Sequence, residues 1–135
     1  MNADKFQQSG EGHLPAHLGI RINHVGDDEI RSEMTVQQCL MAPNGLLHAG
    51  SLVTLADTSA GYGCVKNLPA GATGFTTVEL KSNHLGTAQS GTVDCVARPA
   101  HLGRTTQVWD ATLTHRETGK LLALFRCTQM VLYPR

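Results

Sequence analysis

Residues 48–66 are the one stretch of this chain with the period of a long helix, and the helix they predict is apolar along a whole face. Leu52, Val53, Ala56, Ala60 and Cys64 recur at the i, i+3, i+4, i+7 spacing, with Ala49 starting the series. Everything else after residue 18 alternates in twos. Ile20, Ile22 and His24 alternate with Arg21 and Asn23; Gly26-Asp27-Asp28 supplies a turn; Ile30, Met34 and Val36 then alternate with Arg31, Glu33 and Thr35, which predicts a hairpin. Four more strand patterns follow at residues 75–85, 91–99, 104–115 and 120–132, and the short Gly-containing turns between them, such as 86–91 and 117–119, predict antiparallel neighbours. A lone apolar helix among six strands can bury its face only in a sheet that curves around it. The expected class is therefore α+β, a curved antiparallel sheet wrapped around one central helix over residues 19–135. Residues 1–18 read as a loose N-terminal leader with one helical turn near Pro15–Leu18.

Asp57 breaks the apolar pattern. It follows Val53 by four and so lies at the edge of the buried face, where an ionised carboxylate must be hydrogen-bonded, paired or used in chemistry; leaving it unsatisfied costs several kcal/mol by rough transfer estimates. Gly45 and Gly50 bracket His48 just before it, so backbone can approach a ligand closely there, and the helix start offers free N–H groups to an oxyanion or phosphate. Nine residues of helix put His48 and Asp57 on opposite sides with ~13 Å of rise between them. They cannot meet in one chain, but across a two-fold axis the start of one helix can face the middle of its partner. The spacing is compatible with a site shared between two subunits.

Eleven basic and eleven acidic residues cancel, so no broad electrostatic footprint for nucleic acid or an anionic membrane is expected. No apolar run reaches the ~20 residues of a membrane span and the first 15 residues contain no apolar signal core, which predicts a cytoplasmic protein. Cys39, Cys64, Cys95 and Cys127 are widely spaced without a C-x-x-C pair, and buried free thiols are expected. Glu11, His13 and His17 fall in the Gly/Pro-containing leader and support no metal site; none is expected.

The motif N-G-L-L-H-A-G-S-L-V-T-L-A-D at residues 44–57, followed by H-L-G-R-T-T-Q-V-W-D-A-T-L-T-H-R-E-T-G-K-L-L-A at 101–123, resembles the hotdog-fold acyl-CoA thioesterases, specifically the PaaI-like and hydroxybenzoyl-CoA thioesterase branch. The resemblance covers roughly residues 18–133. It implies hydrolysis of an acyl-CoA by a homodimer or dimer of dimers, with no cofactor beyond the CoA carried by the substrate. It places Asp57 as the helix carboxylate that attacks the thioester or activates water, and His48 at the reaction centre. The backbone N–H of Ala49, where the family usually has Gly, becomes the donor that polarises the carbonyl. Asn44 lies where many members place an amide near the thioester, or else serves as a loop or cap residue. Thr77 aligns with a water-orienting hydroxyl, with an ordinary strand Thr as the alternative. His101-Leu102-Gly103-Arg104-Thr105 resembles the turn that holds CoA phosphates, Arg104 supplying a permanent cation, and Asn83 and His84 are further nucleotide-side contacts. Two rivals share the fold: a non-catalytic acyl-CoA binding or regulatory module, and a dehydratase or hydratase, whose H-F-P and D-x-x-x-x-H signatures this chain lacks.

Overall fold

A computed structural model describes every residue from Met1 to Arg135. Two short helices, α1 (Ala3–Ser9) and α2 (Leu14–His17), precede a hairpin of β1 (Arg21–Val25) and β2 (Ile30–Thr35). The long helix α3 (Ala49–Lys66) follows, then four strands, β3 (Gly74–His84), β4 (Thr92–Leu102), β5 (Thr106–His115) and β6 (Leu121–Leu132). All six strands form one antiparallel sheet in the order β1-β2-β4-β5-β6-β3, and α3 packs against β2 through β6. This is the hotdog arrangement that the resemblance implies. No helix is long and apolar enough to cross a membrane.

The sheet order departs from the chain order at one place. The turn after β3 does not join neighbours, as its shortness predicted: β3 pairs with β6 at the far edge, while β4 pairs with β2. The reason is α3, which occupies the sheet's concave side and carries the chain from β2 across to the opposite edge before β4 returns to β2.

The core forms where the inward side chains of the sheet meet α3. Leu52, Leu55, Ala56, Ser59, Ala60 and Cys64 are buried, but the helix face is rotated from the one expected: Leu55 and Ser59 join it, Val53 is half-buried and Ala49 is exposed. Trp109 is fully buried. The helix accommodates the ring because position 63 is glycine; a β-carbon there would lie 2.4 Å from the Trp109 ring, far inside contact distance. The indole N–H donates to Gln107 Oε1 at 2.8 Å, and Gln107 Nε2 reaches the Asn67 carbonyl at 3.0 Å, tying the end of α3 to the sheet.

The leader is not loose. Asn2 caps α1, and Phe6 is buried in the core with its ring 4.7 Å from that of Tyr62 on α3. Gln7 binds the carbonyl of Ile20 and the N–H of Ile22. The apolar anchor is a single residue in an otherwise polar heptad, too sparse to register as a period. Cys64, Cys95 and Cys127 are buried free thiols, whereas Cys39, in a single 3-10 turn (Gln38–Leu40) before α3, is exposed.

Candidate active site

Asp57 sits in the third turn of α3, half-buried, and its Oδ1 is enclosed with no hydrogen-bond partner. Burial raises its pKa above the ordinary aspartate value, because the ionised form loses hydration without gaining a donor. Its charge is felt at Cys127 on β6. Burial first, and the nearby Asp57 carboxylate second, push that thiol up to about 12, so Cys127 is a neutral apolar neighbour and no nucleophile. An unsatisfied carboxylate facing a neutral wall, on a helix otherwise built for the core, is a poor structural device and a good reactive one.

The start of α3 is ordered by His48. The residue is the N-cap, and its Nδ1 accepts the Gly50 N–H at 2.8 Å, which leaves the proton of the neutral ring on Nε2. The Gly50 N–H is thereby committed and is not the free donor expected there. Ala49, the first helical residue, keeps an N–H without an acceptor. Since α3 includes Asp57 and begins directly after His48, the two lie about 13 Å apart along its axis and do not meet within the chain.

Asn44 is held in the loop before α3. Its Oδ1 accepts the Leu46 N–H at 3.0 Å in a tight turn, where Gly45 adopts φ +82° and the Ala42 N–H bonds the Leu46 carbonyl. Thr77 on β3 donates its hydroxyl to Gln129 Oε1 at 2.8 Å, beside a bulge between Thr77 and Glu79. Gln129 is fully buried and was not foreseen; a polar residue at an inward position of the last strand was the signal for it. The Thr77 oxygen can still accept a hydrogen bond but has no proton left to give.

The residues expected to hold CoA are divided. His101 and Leu102 belong to β4 and not to the turn, which is confined to Gly103, Arg104 and Thr105. Gly103 is needed because a β-carbon would lie 2.6 Å from His101 Nε2 and 2.8 Å from the Thr106 carbonyl oxygen. Arg104 is exposed, pairs with no carboxylate, and stacks 5.5 Å above the Tyr133 ring, whose hydroxyl donates to the Arg104 carbonyl. The Thr105 carbonyl accepts the Val131 N–H at 2.9 Å. Asn83 and His84 lie at the opposite end of the sheet: six residues of β5 separate the level of Thr106 from that of Thr112, which shares a row with Leu124 and Asn83, or about 20 Å. Asn83 borders a hollow of 410 Å³ on the face away from α3, with Lys81 and the paired Asp110 and Arg126. None of the chain's four hollows touches Asp57, His48 or Ala49. A single chain holds the parts of the site without enclosing it.

The stretch from the Asn44 turn through α3 to the start of β6, residues 44–122, matches the family model of the thioesterase superfamily. The chain belongs to that family. This thioesterase is 36% identical over 126 residues to the 1,4-dihydroxy-2-naphthoyl-CoA hydrolase of Escherichia coli, covering 91% of the chain and 89% of that protein. It is 39% identical over 118 residues to the putative esterase PA1618 of Pseudomonas aeruginosa, covering 85% and 79%. The crystal structure of a mutant of thioesterase PA1618 superposes on it with a TM-score of 0.92 at 32% identity, covering 98% of the chain and 94% of that structure. The protein is thus a hotdog enzyme that hydrolyses thioesters, and neither the binding module nor the dehydratase describes it.

Proposed function

We propose that this thioesterase converts an acyl-CoA and water into a free acid and CoA, with Asp57 as the reacting carboxylate. The observation that carries the reading is the buried, unpartnered Oδ1 of Asp57 on the core helix. A thioester has a good leaving group in its thiolate, so the enzyme's tasks are to polarise the carbonyl and deliver an oxygen nucleophile. The Ala49 N–H, aimed outward at the positive end of α3, suits the first task, and His48 locks that helix start through its Nδ1. Asp57 suits the second by either of two balanced routes. It attacks the carbonyl carbon, releases the CoA thiolate and leaves an anhydride that water opens, or it takes a proton from water as that water attacks.

Because His48 and Ala49 lie about 12–13 Å from Asp57 along one helix, the complete centre is proposed to form in a homodimer, with Asp57 from one protomer and the helix start from its partner. Arg104, free of carboxylates and steadied on Tyr133, is proposed as the phosphate contact; Asn83 and His84, about 20 Å away, would serve a different bound CoA or none. Aryl-CoAs are the first substrates to try, since two relatives of 36% identity are named 1,4-dihydroxy-2-naphthoyl-CoA hydrolases. Thiol release by Asp57→Asn tests the assignment. Turnover should fall by about a thousandfold or more with the fold intact, since the amide keeps the shape but lacks basicity and nucleophilicity. Activity within a few-fold of the unmodified enzyme would remove Asp57 from the mechanism.

A further inference from the structure

The free donor at the start of α3 belongs to one peptide unit, and Ser51 governs how that unit is turned. The Ala49 N–H and the His48 carbonyl share the His48–Ala49 peptide, which is planar and trans, so the two groups point in opposite directions. Fixing one aims the other. The His48 carbonyl accepts the Ser51 N–H at 3.0 Å, which turns it along the helix and leaves the Ala49 N–H pointing out of the helix start.

Ser51 is itself anchored outside the helix. Its hydroxyl donates to the Leu40 carbonyl at 2.8 Å, and the same carbonyl accepts the His48 N–H at 3.1 Å. One oxygen at the end of the 3-10 turn Gln38–Leu40 therefore grips the chain on both sides of the His48–Ala49 peptide. Leu40 and Ser51 are both buried, and the Leu40 N–H bonds the Gln37 carbonyl at 2.9 Å, so the anchor point is itself fixed. An alanine at position 51 would leave the Leu40 oxygen paired with the His48 N–H and orphan no buried acceptor. What it would remove is the tether.

We propose that Ser51 is a positioning residue of this thioesterase, whose hydroxyl, through the Leu40 carbonyl, sets the direction of the Ala49 N–H. The inference rests on that N–H being the donor that polarises the thioester carbonyl. Such a donor acts more strongly in the transition state than on the bound substrate, because the oxygen gains negative charge as the nucleophile adds. Misaiming it slows turnover and leaves substrate affinity nearly unchanged.

The test measures kcat and KM for benzoyl-CoA in the unmodified enzyme and in Ser51→Ala, Ser51→Cys and Ala49→Pro, with melting temperature as the control for folding. Removing an aimed donor outright costs roughly 10²–10³-fold in kcat, and misaiming one costs part of that. Ser51→Ala should lower kcat about tenfold while KM moves less than about twofold. Ser51→Cys keeps the shape but donates only weakly, so its kcat should lie between. Ala49→Pro deletes the N–H itself at the first helical position, where proline is tolerated, and should lower kcat by about a hundredfold. An unchanged kcat in both Ser51 variants would overturn the proposal, and so would a rise in KM as large as the fall in kcat, which marks a general loosening of the helix start. Where the alanine variant fails to fold, the cysteine variant carries the same comparison with the same meaning. Ala49→Pro separates the two ideas. Loss of turnover there with the Ser51 variants unmoved refutes the tether alone, whereas full activity there refutes the donor assignment whatever Ser51 does.

Discussion

Removing the Asp57 charge should make the protein more stable while it destroys activity. The structure encloses Oδ1 with no donor, and a buried acceptor left unsatisfied costs ~1–3 kcal/mol, more when it is charged. Asparagine keeps the volume and relieves the charge but still presents a polar atom, so it recovers only part of that cost, about 1 kcal/mol. For a chain of this size that is a rise in Tm of about 4 °C near neutral pH. The sign also sets a pH dependence. Burial raises the folded-state pKa of Asp57 above its ordinary value of 3.8. Below that value the carboxyl is protonated in both states and contributes nothing. As pH rises through the window from 3.8 to the raised value, the unfolded chain gives up its proton first and the folded state is progressively penalised, the penalty being complete above the raised value. Thermal melts of the two proteins should therefore diverge near neutral pH and converge toward about pH 4. A variant that melts lower than the unmodified enzyme at neutral pH, or a difference that does not shrink on acidification, would show that a donor reaches the carboxylate and that the accounting of its burial is wrong.

Arg104→Ala should raise KM for CoA thioesters well above its effect on truncated thioesters lacking the nucleotide, since a cation stacked on Tyr133 and free of carboxylates contributes at a distant phosphate; equal effects on both substrates would place it outside the site. The shared centre is tested by co-refolding Asp57→Ala chains with His48→Ala chains, each weak alone. Random pairing makes half the dimers mixed, and each mixed dimer has one site with both groups intact, so roughly a quarter of all sites should regain activity. Verified mixed dimers showing only the average of the two mutants would place the whole site within one chain.

The helix, the strands and the odd position of Asp57 were legible in the sequence because each is a local or periodic property. A 3.6-residue apolar period from Ala49 to Cys64, ended before Pro69, is a helix wherever it is packed, and a period of two is a strand. A carboxylate on an apolar helix is anomalous before any neighbour is known. What depends on contacts between distant segments was not legible. The short loop after β3 reads like a hairpin turn, yet β3 lies beside β6, because strand order is decided by where α3 must lie to bury its face. Phe6 was one ring in a polar stretch until the core received it, and Glu33 read as an outward strand residue. Burial opposes its ionised form, but hydrogen bonds from Arg21, Asn23 and Arg116 outweigh that penalty and hold its pKa below the usual range, so the carboxylate can stay buried.

By itself the sequence determined that one apolar helix carrying a single acid had to be wrapped by antiparallel strands, since no other arrangement of these periods buries that face. It also determined that His48 and Asp57 could not meet within one helix, since nine residues fix both rise and rotation. The tertiary structure alone decided which donors remain free and which atoms lack a partner: the Gly50 N–H went to His48, Asn44 to its own turn, Thr77 to Gln129, and Asp57 Oδ1 to nothing. The physical reason is that hydrogen bonds are settled within about 3 Å, a scale that residue spacing along the chain cannot resolve and only the packed neighbours can supply.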